Sequence, residues 1–486
     1  LSEQAGEILI GGEWRAAADG ARLVVRDPAT REVVGEVSDG GETEAQAAIT
    51  AAVAAFPAWA EAPAERRAAA LQRLASGLEE SAARLQRLLV SESGKPSREA
   101  AGEVASSIAF LRWNAEEARR CHGQTIGSGF RDLRLWTIRQ PVGVAAIITP
   151  WNYPLNTLCR KLGPALAAGC TVLIKPAPET PLSAVELGRL AQAAGIPRGV
   201  INLVPTSRAA TVAGCWLADR RVRKIAFTGS TSVGKSLFRE AAATLKRISL
   251  ELGGHAPAIV FADADLDHAV ESIVASRFRH AGQTCICVQR VIADEAIAAE
   301  LGRRLAARME RLRVGNGHDP EVDLGPLIHE GAQQRVVAHL NDALAGGARL
   351  ISGGRPIDLP APNVGCFFEP TLLDHVTPDM RVMQEETFGP LLTLSRFQSE
   401  TAALAMANAT DYGLAAYLFT NDAARIHRLV ERLHFGTIGV NDTRIIHPGL
   451  PFGGQGESGI GRENGSEGID EYLETKAAVL RVPAVS

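Results

Sequence analysis

No stretch of this 486-residue chain stays apolar long enough to cross a bilayer, so membrane-spanning helices are not expected. The opening residues, Leu1-Ser2-Glu3-Gln4, lack the basic and apolar regions of a secretory leader. An excess of one charge is also missing. Lys and Arg total 51 against 55 Asp and Glu, and a net charge of -4 gives no reason to expect a nucleic-acid or anionic-membrane partner. Cysteines number seven, an odd count without framework spacing, which argues against a disulfide scaffold and for reduced thiols in a cytoplasm. Internal repeats and low-complexity linkers are absent. What remains is 46% hydrophobic and 22% charged, the balance of an ordinary globular protein with length for two or three domains.

Glu7 to Val37 alternates short apolar runs with turns at Gly11-Gly12 and Asp27-Pro28, which predicts a small hairpin layer. Thr43 and Gln46 form a capping-box pattern before an alanine-rich helix toward Trp59. Leu71, Leu74, Leu78, Leu85 and Leu89 predict one long helix ending before Ser93-Gly94-Lys95-Pro96, with another from about Glu99 to Arg120. Arg131 to Arg139 reads as an isolated extended arm suited to a partner subunit. From Pro141 the texture changes. Val142–Thr149, Thr171–Lys175, Ile201–Val204 and Val222–Phe227 are β-rich runs separated by helical segments, and Ala258–Phe261 follows Glu251-Leu-Gly-Gly254. That rhythm predicts a parallel, helix-covered sheet of the dinucleotide-binding kind. Val288–Ile292, Phe388–Phe397 and Thr437–Val440 open a second α/β region, and Tyr472–Val482 reads as a terminal strand.

Two motifs compete for attention. Gly229-Ser-Thr-Ser-Val-Gly-Lys-Ser236 fits the P-loop pattern letter for letter, after an apolar strand and before a helix. It supports a nucleoside-triphosphatase, with Lys235 on the outer phosphates, Ser236 on magnesium and Asp263 as the magnesium partner. Against it, a P-loop normally follows the first strand of its fold, and here several probable strands precede it. Gly454-Gln-Gly-Glu-Ser-Gly459 matches the dinucleotide fingerprint, yet no clear strand leads into it, so it reads as a glycine-rich turn.

The stretch Gly282-Gln283-Thr284-Cys285 is suited to presenting a sulfur to a cleft, where a depressed pKa or a neighbouring base can keep a thiolate ready. A metal set from Cys285, Cys287 and His280 is too loosely spaced to favour. Cys285 belongs with Asn152, Lys175, Glu251 and Glu386. The stretches around them are Thr149-Pro-Trp-Asn-Tyr-Pro154, Ile174-Lys-Pro-Ala177, Phe227-Thr-Gly-Ser-Thr231, Glu251-Leu-Gly-Gly254, Gly282-Gln-Thr-Cys285, Glu385-Glu-Thr-Phe-Gly-Pro390 and Pro451-Phe-Gly-Gly454. In this order the chain resembles an NAD(P)-dependent aldehyde dehydrogenase, most nearly a succinate-semialdehyde dehydrogenase.

The resemblance implies that Cys285 attacks the aldehyde, that Asn152 and the Cys285 N–H hold the oxyanion, and that Glu251 activates the water that hydrolyses the thioester. It implies NAD or NADP bound by Trp151, Lys175, Pro178, Gly229, Ser230, Leu252, Glu386 and Phe388. Relatives that prefer NAD often carry a glutamate three residues after the lysine. Pro178 holds that place here, with Glu179 one step later, which leaves the choice open. Arg160 and Arg279 coincide with a pair that grips a substrate carboxylate in succinate-semialdehyde dehydrogenases, a task that suits guanidinium forks. Cys287 resembles the second cysteine of a regulatory pair with Cys285. The loop Asn441 to Leu450 departs from that subfamily. Ile446 or His447 stands near its serine position, and Arg444 offers a further cation suited to a sulfonate, a phosphonate or a bulkier diacid semialdehyde.

The expected fold is α/β, with a Rossmann-like parallel-sheet cofactor domain (1–118 and 138–252) and a second α/β catalytic domain (253–440). A small β oligomerisation arm (119–137 and 465–486) completes it, with 441–464 as a returning segment. The expected partners are a small-molecule aldehyde and further copies of the chain, as a homodimer or homotetramer.

Overall fold

The computed structural model describes residues 8–482. Leu1–Gln4, Glu7 and the last residues of the 465–486 segment lie outside them.

Five parallel strands form the centre of the first sheet, in the order Ile201–Leu203, Thr171–Lys175, Val144–Ile148, Val222–Thr228 and Arg247–Glu251. The hairpin Ile8–Ile10/Glu13–Arg15 extends one edge and Gly459–Ile460 closes the other, all antiparallel. The central strands are apolar because helices cover both faces. Along Val144–Ile148, Ala145 and Ile147 pack into the core on one face, while Val144, Ala146 and Ile148 pack into the core on the other.

Chain order runs outward from Val144–Ile148 to Ile201–Leu203, then returns to Val222–Thr228 on the opposite flank. That reversal leaves a crevice at the C-terminal ends of the strands, where doubly wound sheets bind ligands. The loops carrying Asn152 and Gly229 both leave strands that border it.

A second, seven-stranded sheet runs Arg349–Ser352, Thr371–Asp374, Leu391–Phe397, Arg290–Asp294, Pro257–Val260, Ala415–Phe419 and Thr437–Val440; only the first pairing is antiparallel. The Ala258–Phe261 run therefore belongs to this sheet. Leu473–Arg481 pairs antiparallel with Leu133–Pro141 over its whole length, and Thr125–Ile126 adds a short third strand. This arm leaves Trp136, Ile138, Val479 and Leu480 exposed.

Three local expectations need correction. The predicted leucine-spaced helix is two helices, Ala64–Glu80 and Ala82–Ser93, broken at Ser81 while the apolar face continues across the break. The alanine-rich helix starts at Glu42, and Glu44 accepts the Gly41 N–H (2.7 Å) where Thr43 was expected to cap. Arg247–Glu251 is a strand that the mixed polar sequence did not reveal.

Candidate active site

Asn152, Glu251 and Gly229 lie at or just beyond the C-terminal ends of parallel strands, and Cys285 reaches the same crevice from the side of the second sheet. The approach to Cys285 is unusual backbone. His280 (φ 48°), Ala281 (φ 52°) and Gly282 (φ 74°) are left-handed in succession, a conformation that costs free energy at the two non-glycine residues. Surrounding contacts hold it. The Gln283 side chain donates to the carbonyls of His280 (3.1 Å) and Pro326 (3.3 Å) and accepts the Ile328 N–H (3.0 Å). A Cβ on Gly254 would lie 2.2 Å from the Cys285 carbonyl oxygen, so only glycine admits this approach.

Asn152 is fixed from below. Lys95, fully buried, ion-pairs with Glu103 and donates to the Asn152 carbonyl (2.7 Å). Glu103 also accepts the Leu155 and Asn156 N–H groups (3.0 and 3.1 Å), satisfying donors that the start of the Pro154–Ala168 helix leaves open. The Asn152 amide nitrogen donates to the Gln283 carbonyl (2.9 Å), and its second N–H remains for a ligand.

Two cavities meet at the sulfur. One, of about 290 Å³, is lined by Arg160, Glu251, Arg279, Ile446, Phe452 and Glu463, among others. The other, of about 200 Å³, is lined by Trp151, Gly229, Ser230, Leu252, Glu386 and Phe388. Asn152, Thr228 and Cys285 line both.

Burial, reinforced by Glu386 and Glu251, pushes the Cys285 thiol up, although the residue itself is only half-buried. Glu251 lines the larger of the two cavities together with Cys285. Burial and the adjacent Glu463 carboxylate raise it well above the carboxylate range, and its Oε2 has no hydrogen-bond partner. Burial would raise Glu463 as well, but Lys161 and Arg160 pull it down. Lys161 ion-pairs with Glu463, and Arg160 approaches the same carboxylate at 2.8 Å while lying 4.4 Å from the Phe452 ring centroid.

The smaller cavity has a donor set that fits a dinucleotide. Gly229 and Ser230 precede the Thr231–Ala241 helix, whose first N–H groups favour an anion. The Gly229 N–H itself is engaged by the Glu251 carbonyl (3.0 Å), so this glycine acts by its lack of bulk: a Cβ would meet the Phe227 ring at 2.4 Å. Thr228 Oγ1 is buried without a partner and opens on the cleft. Glu386 accepts the Gly254 N–H (3.0 Å), and burial holds its carboxyl up at about 7. Trp151 and Phe388 meet edge-on at 5.6 Å. Lys175 ends its strand with Nζ donating to the Pro176 carbonyl (3.0 Å), lowered by burial to about 8, and neither it nor Pro178 lines this cavity.

The other expected residues fare differently. Arg444 is turned to solvent, its guanidinium forked onto Asp442 (2.6 Å), and does not line the substrate-side cavity. Arg160 lines it but is already committed to Glu463; Arg279 lines it with no hydrogen bond or ion pair among the described residues. Cys287 is buried and accepts from Arg277 (3.0 Å), and all seven cysteines are free. The P-loop reading fails on geometry. Lys235 pairs with Glu457 on the surface, Ser236 bonds Glu240 (3.1 Å), and Asp263 serves Thr420, Asn421 and Arg425. Glu463, Thr228, Gln283 and Lys95 were missed: Thr228 and Gln283 stand inside quoted stretches but were given no role there, and Glu463 and Lys95 stand outside them.

The aldehyde dehydrogenase family model matches residues 14–478. A glutarate-semialdehyde dehydrogenase of Pseudomonas putida is 45% identical over 97% of both chains. A 3-sulfolactaldehyde dehydrogenase of Pseudomonas putida is 46% identical over 99% of this chain and 97% of its own. The crystal structure of a succinate-semialdehyde dehydrogenase from Burkholderia pseudomallei superposes with a TM-score of 0.95 at 44% identity, covering 98% of each chain. With Cys285 at the seam of two cavities and kinship along nearly its whole length, the chain belongs to the aldehyde dehydrogenase family as an NAD(P)-dependent enzyme.

Proposed function

We propose that the enzyme oxidises an aldehyde bearing a distal anion, such as succinate or glutarate semialdehyde or a sulfonate analogue, to the carboxylic acid. The observation that carries this reading is the unpaired Arg279 in the same cavity as Cys285 and Glu251. Glu251 removes the Cys285 proton, and the sulfur bonds the carbonyl carbon to give a thiohemiacetal. The free Asn152 N–H and the Cys285 N–H hold the oxyanion, each such donor contributing about 2.7–4 kcal/mol in other acyl-transfer sites. Bound NAD or NADP supplies the acceptor for the hydride. Glu251 passes the cysteine's proton to solvent and, ionised again, takes a proton from the water that attacks the thioester; the carbon–sulfur bond breaks, the Cys285 sulfur leaves as thiolate, and the acid departs. Burial and Glu463 raise the proton affinity of Glu251, and its unpartnered Oε2 is the oxygen available to take a proton.

Arg279 grips the anion, and Arg160 acts through Glu463 beside the base. Glu179 lies close enough to hold Lys175 more basic, and its charge disfavours a 2′-phosphate. The chain divides into the cofactor, catalytic and arm portions bounded as above. The exposed apolar residues of the arm support pairing between copies as a dimer or tetramer. Reduced cysteines suit a cytoplasm.

Steady-state kinetics with succinate semialdehyde and butanal test the reading. Wild type should favour the anionic aldehyde, and Arg279→Ala should lose about 10–100-fold of that preference, the range for a hydrogen bond to a charged group. Equal efficiency for both aldehydes in wild type would overturn it.

A further inference from the structure

The Ser97–Glu117 helix lays Glu99, Gly102 and Glu103 along the wall of the substrate-side cavity. Glu103 is fully engaged by Lys95 and by two N–H groups of the next helix. Glu99 is not. One oxygen accepts the His280 N–H at 2.8 Å, and the other has no hydrogen-bond partner among the described residues. His280 directly follows Arg279 and opens the left-handed run that leads to Cys285. Glu99 therefore holds the backbone next to Arg279, the one cation lining this cavity that has no partner among the described residues, and the two side chains line the same cavity.

The charged and titratable groups around it are accounted for. Arg279 and His280 come from the segment before the nucleophile, and Lys95, Arg98 and Glu103 from the start of its own helix. Tyr153 precedes the neighbouring helix, and Arg160 and Glu251 stand across the cavity. Lys95 is bound to Glu103, Arg98 to Asp323 (2.6 Å) and Arg160 to Glu463, and both ring nitrogens of His280 are buried without partners. Arg279 acts most strongly on Glu99, ahead of Lys95 and Arg98, and among the described residues it is the one of the three without an ion-pair partner of its own.

We propose that Glu99 is a specificity-determining residue of the distal pocket: it fixes the backbone that carries Arg279 and competes with the substrate's distal anion for that guanidinium. The inference rests on the distal-anion reading above. When an anion arrives, two negative groups share one cation, and the arrangement is relieved if Glu99 takes up one proton from solvent. The neutral acid then donates its O–H to the anion instead of repelling it. Desolvation at the cavity wall, opposed chiefly by Arg279, holds the Glu99 carboxyl up at about 7 although the residue itself is only half-buried, so this uptake falls near neutral pH. The sign follows: anionic aldehyde binds better below that pH and worse above it, while a neutral aldehyde is indifferent.

The experiment compares succinate semialdehyde with butanal between pH 6 and 8, in wild type, Glu99→Gln and Glu99→Asp. In wild type the KM for succinate semialdehyde should rise toward about tenfold per pH unit above about 7, relative to that for butanal. In Glu99→Gln that relative rise should vanish, and at pH 8 the ratio of kcat/KM between the two aldehydes should increase about tenfold in favour of the anion. Glu99→Asp should retain a pH-dependent ratio. A folding defect scales both aldehydes alike and leaves the ratio unmoved. A Glu99→Gln enzyme with the wild-type ratio and profile overturns the inference while leaving the anion-gripping role of Arg279 standing. A wild type indifferent to the distal charge at pH 6 overturns both.

Discussion

The two cavities that meet at Cys285 are built by different means. The cofactor side is largely a matter of main chain: a helix start, glycines at positions 229 and 253, and two aromatic rings. The substrate side is made of charged side chains balanced against one another, with Glu251, Glu463, Arg160 and Lys161 in one buried set and Glu99 and Arg279 in another. Main-chain sites admit little variation, because a single Cβ closes them. Side-chain sites can be retuned one charge at a time, so substrate preference resides there. The anion preferences assigned to Arg279 and Glu99 are tests of that side alone.

Three further substitutions would break or sharpen the contrast. Cys285→Ala should abolish turnover by at least about 10⁴-fold for every aldehyde, with cofactor binding retained in a fluorescence titration. Retained turnover would remove the sulfur from both cavities at once. Gly254→Ala should cost about 10²-fold in kcat for anionic and neutral aldehydes alike, since its Cβ would displace the Cys285 backbone. A loss confined to one aldehyde would show that the main-chain wall also selects substrate. Arg444→Ala should change kcat/KM for succinate semialdehyde by less than about twofold, as suits an exposed ion pair. A larger, anion-selective loss would bring Arg444 back into the pocket.

The motifs were legible where the backbone itself imposes them. Gly254 and Gly282 are required because an added Cβ would come within 2.2 and 2.4 Å of carbonyl oxygens, and the apolar central strands by helices on both faces. The strand Arg247–Glu251 was hidden because its exposed end carries polar residues, and the break at Ser81 because leucine spacing runs through it. Glu463 could not have been found locally: it lies 302 residues from Lys161 in the chain, and only folding brings them into an ion pair.

Sequence alone determined the α/β architecture, because hydrophobic rhythm and steric need are written into adjacent residues, and its resemblance to a family, rather than local chemistry, singled out Cys285 and Glu251. Tertiary structure decided which arginine is free, which is committed, and that the P-loop lookalike turns its lysine and serine away from any phosphate. Charge balance depends on which groups are brought within a few ångströms of each other, and sequence order does not encode that distance.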